Sequence, residues 1–262
     1  MDSKLSIITG HKNNRSYLKD VFVSPPFRVV PVGQIKLDGA AYLMIVSSSP
    51  GILDGDRYQL KITVEENARL QLQSQSYQRL FYMDGEASQR MDIVLEPNSD
   101  FSFVAHPIVP HEKSTFRTRT HVTLAEGCGF LMSEIITCGR KHHGELFRFT
   151  HFQNLIEVYH GKRLILKDNI LLQPDRMPVA SIGQLEQFTH QGTLIYLNTK
   201  NREVGELIEY IQAMLEPQED FEYGISATQH PGFVVRCLGN GAEQLFNCFL
   251  EIQRYIWEEW DC

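Results

Sequence analysis

Residues 49–81 read SPGILDGDRYQLKITVEENARLQLQSQSYQRLF and contain the unit that predicts the fold. After a turn that ends at Asp56, apolar and polar residues alternate through 60–64, as they do in a strand with one buried face. A polar corner at Asn67 bends the chain, and the alternation resumes at 70–72. The stretch therefore predicts a strand, a corner and a second strand.

This strand–corner–strand unit recurs with a period near 30 residues. The later corners fall at Asn98, Gly127 and Gly161, in steps of 31, 29 and 34 residues from Asn67. The flanking apolar residues correspond in the same order: Val64, Leu70 and Leu72; Leu95, Phe101 and Phe103; Leu124, Phe130 and Met132; Val158, Leu164 and Leu166. Such a period indicates stacked units that bury their apolar faces against one another. We predict stacked β-hairpin-like coils from residue 20 to about 175; an ordinary antiparallel sandwich is the alternative.

The pattern changes near residue 188. Apolar residues at helical spacing, stopped by Pro217, predict one helix, and Asn240 with Glu243 three positions on predicts the capped start of another. The predicted fold is mainly β, with a stacked β-helix-like, two-sheet architecture over residues 1–187. An α+β C-terminal subdomain with two helices, residues 188–262, is predicted to pack on it.

The last predicted helix carries more apolar surface than one core face needs. Besides its main stripe it has a second one that contains Phe246, Leu250 and Trp257. We interpret this second stripe as a binding surface for a protein partner. A terminal helix that is simply buried is the alternative.

Composition excludes several classes of protein. The formal net charge is −7, from 32 acidic and 25 basic residues, and no basic cluster suits nucleic acid. No apolar run approaches the roughly 18 to 20 residues of a membrane span, and the first residues lack the apolar core of a secretory signal. Five cysteines without a C-x-x-C pair predict reduced, mostly buried thiols. We therefore expect a cytoplasmic protein.

Residues 133–149, SEIITCGRKHHGELFRF, are the second informative stretch. Glu134, Arg140 and Glu145 lie close in sequence, interrupted by glycine turns. Three interpretations are open: an ion-pair network, a polar lining, or solvated charges on a loop. The adjacent His142-His143 pair could face one metal ion on a loop but not on a strand. The chain has no phosphate-binding loop, no G-x-S-x-G elbow and no H-E-x-x-H motif.

Four segments together resemble the UreD family of urease accessory proteins, called UreH in some bacteria. They are SPGILDGDRYQL at 49–60, the Ser74-Gln75-Ser76 segment, EIITCGRKHHGELF at 134–147 and GISATQHPGFVVRCLG at 224–239, and the resemblance runs from about Leu18 to Trp260. It implies a scaffold without enzymatic activity. Such proteins bind the urease apoenzyme and UreF, which recruits the GTPase UreG, and nickel is thought to cross them through a polar passage.

The resemblance also implies residue roles. Nickel in transit, with no tightly bound cofactor, would meet Asp56, Glu134 and Glu145, and the passage would be lined by Ser74, Ser76 and Arg140. A dication in a dry interior needs carboxylates to offset its lost hydration. The chain departs from the family pattern where Pro50-Gly51 replaces a common Gly-Gly pair and where serines replace threonines after the repeat strand.

Two other functions remain open from the sequence. A β-helix polysaccharide hydrolase or lyase would use Asp56 and Glu145 as paired acid and base in a solvent groove. A metal-storage protein would use histidine and cysteine. The sequence does not assign a role to His142 and His143, nor does it show which surface meets UreF.

Overall fold

A computed structural model describes residues 1–33, 36–215 and 220–260. Its strands, in chain order, are β1 Asp2–Lys12, β2 Arg15–Val23, β3 Phe27–Pro31, β4 Ala41–Ser47, β5 Arg57–Val64, β6 Arg69–Ser74, β7 Gln78–Leu80, β8 Ala87–Leu95, β9 Asp100–Val104, β10 Ile108–Pro110, β11 Thr115–Leu124, β12 Gly129–Thr137, β13 His151–His160, β14 Arg163–Leu172, β15 His190–Asn198, β16 Phe221–Ala227 and β17 Gly232–Gly239. The helices are α1 Gly205–Met214 and α2 Ala242–Tyr255, with a short 3₁₀ helix at Lys141–His143 and a π turn at Ile256–Trp260.

The strands form two sheets, and consecutive strands of each repeat lie in different sheets. The first sheet has the order β14-β13-β11-β8-β5-β1-β2, and the second runs β16-β17-β15-β12-β9-β6-β4-β3. The inner neighbours β13, β11, β8, β5 and β1 are parallel, and so are β12, β9, β6 and β4. The predicted mainly β, two-sheet stack is confirmed, and the parallel pairing excludes the antiparallel sandwich. Each repeat is a coil that passes from one sheet to the other, not a hairpin within one sheet.

Corners of successive coils lie on one another. Asn67 and Asn98 have positive φ angles of 61° and 58°, and Gly127 follows with 75°. The Asn67 amide donates to the carbonyl of Pro97, and the Asn98 amide donates to that of Glu126, both at 3.0 Å. Asparagine and glycine tolerate this left-handed conformation better than other residues, so their recurrence at the corner has a steric cause.

The register predicted for the first three units is also observed. Val64 pairs with Leu95, which pairs with Leu124, on neighbouring parallel strands of the first sheet. In the second sheet Leu70, Phe101 and Phe130 form one column, and Leu72, Phe103 and Met132 form the next.

The fourth predicted unit is wrong. Leu124 pairs with His160 and not with Val158. Gly161 lies in a hairpin turn, so β14 returns antiparallel beside β13 in the first sheet instead of crossing to the second. The place next to β12 in the second sheet is taken by β15, which runs antiparallel to it.

The C-terminal residues extend the second sheet and then cover its outer face. Alternate residues of β15 face different cores: Ile195 belongs to the core between the sheets, whereas Leu194 belongs to a second core. Helix α2 packs Leu245, Phe249 and Ile252 into that second core. The second sheet is thus continuous across the boundary predicted at residue 187, and that boundary itself stays a prediction.

Both helices differ in detail from the prediction. Helix α1 begins at Gly205, and Pro217, the predicted stop, lies outside the described residues. The predicted capping box at the start of α2 is wrong, because its N-cap is Gly241 and no side chain caps it. The Glu243 carboxylate instead accepts a hydrogen bond from the Tyr77 hydroxyl at 2.6 Å.

Trp257 does not face a partner, which corrects one part of the predicted binding stripe. Its side chain is buried at 3% exposure, and its indole Nε1 donates to the Tyr42 hydroxyl at 2.9 Å. The Arg69 guanidinium lies 4.6 Å from its ring centroid. These contacts dock the end of α2 on the second sheet. Phe246 and Leu250 are half-buried against the second core.

The turn before β5 should be sensitive to an added methyl group. A Cβ atom at Gly51 would lie 2.4 Å from the Arg79 carbonyl oxygen, which accepts the Ile52 amide at 2.8 Å. We expect Gly51→Ala to lower the free energy of unfolding by about 1–3 kcal/mol, because a backbone contact cannot give way cheaply. Urea unfolding measures the change. Gly205→Ala, where a Cβ atom would meet nothing within 4 Å, is the control and should not destabilise; equal losses in both variants would contradict the explanation.

Candidate functional site

A cavity of about 160 Å³ lies between the two sheets. Inward-facing residues of the first sheet, Tyr58, Gln89, Thr118 and Thr120 among them, form one wall. Ser74, Phe103, Met132 and Glu134 are among the residues of the opposite wall. Polar residues occupy some inward positions of otherwise apolar strands at this place. The space between them is large enough for several water molecules.

The polar side chains of the cavity occupy columns of the stack. Tyr58, Gln89 and Thr118 are register partners on β5, β8 and β11, and Asn154 on β13 continues this column. In the second sheet Glu134 on β12 is paired with Thr193, which is paired with Arg236. The two columns face one another, so a polar layer crosses the interior.

Glu134 is the ionisable group at the centre of this layer. Its Oε1 atom is buried without a hydrogen-bond partner in the described structure. Burial raises the pKa of this carboxyl to about 8, repulsion by Asp168 adds to the rise, and a hydrogen bond with Asn154 opposes it. The carboxyl is therefore largely protonated at neutral pH. A cation beside this carboxyl would favour its charged form.

An ion pair closes the layer at the side away from the cavity. Arg236 donates to Asp168 and also, at 3.2 Å, to the Thr193 hydroxyl. Asp168 is 9% exposed at its side chain, whereas Arg236 is 46% exposed. One oxygen of Asp168 and the Asn154 carbonyl oxygen are buried without hydrogen-bond partners in the described structure. Polar groups thus continue from Glu134 to the surface at Arg236.

The other side of the cavity reaches the surface beside Ser76, which is exposed. There the Ser74 hydroxyl lies 2.8 Å from Nδ1 of His106 and accepts the His106 amide at 2.9 Å. The ring of Phe246, from α2, stacks on His106 with centroids 4.4 Å apart. Burial lowers the pKa of His106, so this imidazole is neutral at pH 7. We call this side the mouth of the cavity.

Asp56 serves the turn before β5 and does not line the cavity. It is 5% exposed, and its carboxylate accepts the Leu53 amide at 2.9 Å and the Tyr58 hydroxyl at 3.2 Å. The Met1 ammonium lies 3.0 Å from its other oxygen. Three donors therefore contact this carboxylate. Burial, together with the nearby Asp56 carboxylate, raises the pKa of the Tyr58 hydroxyl.

Arg140 and Glu145 pair with each other on a loop outside the cavity. Arg140 Nε donates to one carboxylate oxygen at 2.9 Å, and its Nη2 contacts the other. That hydrogen bonding lowers the pKa of Glu145. The pair closes the loop that carries His142 and His143, both exposed on the 3₁₀ helix.

The structure therefore brings together only half of the predicted passage residues. Ser74, Ser76 and Glu134 line the cavity, whereas Asp56, Arg140 and Glu145 lie elsewhere. Within residues 1–33, 36–215 and 220–260, no three His, Cys, Asp or Glu side chains form a group that could hold a metal ion. Sequence reasoning missed Asn154, Asp168 and Arg236. For Asn154 and Asp168 the only signal is a polar residue at an inward position of a strand, whereas Arg236 also lies in the segment 224–239 that carries the resemblance.

Comparison with known proteins decides the family. Residues 1–261 match the family model described as UreD urease accessory protein. The chain belongs to the UreD family. It is 50% identical to the urease accessory protein UreD of Flavobacterium johnsoniae over 257 residues, which cover 98% of this chain and 93% of the relative. It is 33% identical to UreD of Acetivibrio thermocellus over 245 residues, 93% of each chain, and 32% identical to UreD of Actinobacillus pleuropneumoniae serotype 3 over 263 residues, 98% and 97% of the two chains.

Membership of the UreD family implies a part in urease maturation, and relatives are named as accessory proteins. The arrangement of Asp56 and Glu145 gives no support to the hydrolase alternative, because donors occupy both carboxylates and neither lines the cavity between the sheets. No described helix has the length and apolar character to span a membrane.

The raised pKa of Glu134 predicts an unusual pH dependence of stability. The folded chain binds this proton more tightly than the unfolded chain, so its free energy of unfolding falls as pH rises from the ordinary carboxyl pKa toward about 8. Glu134→Gln imitates the protonated form. We expect the variant to equal the wild type near pH 4, below the ordinary carboxyl pKa, and to exceed it above pH 8, as measured by urea unfolding. Glu66→Gln, at an exposed site, is the control. A wild-type advantage at high pH would show that the carboxylate is stabilised.

Proposed function

We propose that this UreD-family chain is a scaffold without enzymatic activity that assists nickel delivery to urease through the polar layer between its sheets. The observation that carries the proposal is the position of Glu134. Its side chain lines the cavity between the sheets, and its buried Oε1 atom has no hydrogen-bond partner in the described structure. A buried carboxyl without full hydrogen bonding costs stability. A functional reason for keeping it is passage of a cation.

The chemistry of the lining suits a hydrated divalent ion. Serine, threonine and glutamine oxygens line the cavity together with a single carboxyl group, that of Glu134, and such oxygen donors bind a dication loosely. A cation that reaches Glu134 would displace its proton, because the positive charge offsets the burial that raises the pKa. Nickel is the substrate that the family suggests.

The same lining favours transit over storage. A closed metal site has three or four convergent ligands, and the described residues offer no such group of His, Cys, Asp or Glu. One carboxylate holds a metal weakly enough to release it. We place entry at the mouth near Ser74 and His106, and exit past Asp168 and Arg236, whose ion pair would have to open.

The proposed partners are the urease apoenzyme and UreF, with the GTPase UreG recruited through UreF, in the cytoplasm. Phe246 and Leu250 remain candidates for a partner contact because each is only half-buried. Phe246 also stacks on His106. A partner that binds there would lie beside the mouth of the cavity.

Glu134→Leu should separate nickel delivery from assembly. We expect the variant to bind the urease apoenzyme and UreF normally but to deliver less nickel, because an apolar side chain leaves a dication in the cavity without a charged ligand. Metal content of the purified urease and its activity measure delivery, and co-purification measures assembly. Glu66→Leu is the matched control at an exposed position.

Two outcomes would contradict the proposal in different ways. Normal nickel content with Glu134→Leu would show that the interior carboxylate is not used. Failure of the wild-type chain to associate with either partner would remove the scaffold role itself.

A further inference from the structure

A second concave region, which we call the basic groove, lies outside the cavity between the sheets. It has a volume of about 650 Å³, and its basic residues are Arg79, His111, Arg140, Lys141, His142, His143 and His190. They come from four separate parts of the chain: β7, the end of β10, the loop that contains the 3₁₀ helix, and the start of β15. Neither the passage nor the core uses these side chains.

The groove concentrates positive charge on a chain whose net charge is −7. Three permanent cations, Arg79, Arg140 and Lys141, line it, against one carboxylate, that of Glu243. Glu145 neutralises Arg140 from outside the lining. No ion pair between described residues involves Arg79 or Lys141.

The bonds of Lys141 and the state of the histidines support this charge count. Lys141 donates to the Asn240 carbonyl at 3.0 Å and to the Thr189 hydroxyl at 3.3 Å, which are both uncharged. Burial lowers the pKa of His111, and that of His190, which also lines the groove, falls to about 4. These two imidazoles are neutral hydrogen-bonding groups at pH 7, so they add nothing to the positive charge of the arginine and lysine side chains.

The walls of the groove also offer carbon surface. Tyr77, Phe81 and Val109 contribute aromatic and aliphatic atoms beside the basic groups. The space greatly exceeds one small oxyanion. Alternating apolar and basic surface suits an extended peptide that carries acidic residues, and charge complementarity of this kind gives specificity and fast association.

We propose that the basic groove docks an acidic segment of a protein partner in the urease maturation assembly. The identity of that assembly rests on the proposed function, but peptide binding by the groove does not. Arg79 and Lys141 supply the charge that is left for the partner, and Tyr77 and Phe81 supply apolar contact.

The first test measures peptide binding by the full chain. The probe is a fluorescein-labelled octaglutamate peptide followed by anisotropy, with inorganic phosphate as competitor. We expect Arg79→Glu with Lys141→Glu to weaken binding about tenfold or more, and added salt to weaken binding by the wild type. The matched control reverses one lysine and one arginine elsewhere, Lys12→Glu with Arg15→Glu, both exposed, and should bind as the wild type does.

A second variant keeps the test sound if charge reversal disturbs folding. Arg79→Gln with Lys141→Gln removes the charges at similar side-chain length, and circular dichroism checks that each variant is folded. Unchanged affinity in the folded glutamine variant would overturn the proposal. Displacement of the peptide by inorganic phosphate, added at the same total concentration of negative charge, would also overturn the proposal and indicate a small-anion site. Tighter binding of a single-stranded oligonucleotide than of the peptide would overturn it and indicate a nucleic-acid site.

The second test asks whether the groove serves the proposed assembly. Co-purification with the urease apoenzyme and UreF should fall in the charge-reversal variant and stay unchanged in the control. If the wild type binds the peptide through the groove but associates with neither protein, the proposed function fails and the groove stands. If the wild type assembles and the variant assembles equally well, the groove proposal fails and the proposed function stands.

Discussion

The structure depends on parallel stacking of coils in strict register. Because the inner strands of each sheet are parallel and aligned, a residue type at one inward position forms a column through the stack. Apolar columns such as Leu70, Phe101 and Phe130 fill most of the space between the sheets. A shift of one residue in any strand would turn its whole inward set to the other face, so every coil fixes the register of its neighbours.

This constraint explains both the presence and the position of the polar layer. Gln89 and Thr118 lie in one column, and Glu134 and Thr193 lie in another, so single polar residues in several strands meet as a continuous layer. The layer costs stability because buried oxygens of Glu134, Asn154 and Asp168 lack partners in the described structure. Protonation of Glu134 lessens that cost, as its raised pKa indicates.

The sequence predicted the features that local patterns determine. Corners at Asn67, Asn98 and Gly127 and the alternation beside them sufficed for three coils, because left-handed corners and period-two burial are properties of short segments. The prediction of a fourth coil was wrong because the sheet that β14 joins depends on which strand pairs with β12. Of the residues that the resemblance supplied, Glu134 and Ser74 line the cavity, and their role in a passage stays a prediction. The resemblance could not show that Asp56 and Glu145 accept hydrogen bonds from nearby donors. Asp168 and Arg236 escaped prediction because their pairing joins strands 68 residues apart.

Helix α2 connects the two concave regions and gives them a common physical basis. Tyr77 lines both the cavity between the sheets and the basic groove, and its hydroxyl donates to Glu243 in the first turn of α2. One turn further along, Phe246 stacks on His106 at the mouth of the cavity. The far end of the helix is fixed by Trp257 on Tyr42. A partner segment in the basic groove would contact the first turn of α2, next to the side chains that border the mouth, so docking and access to the polar layer share one structural element.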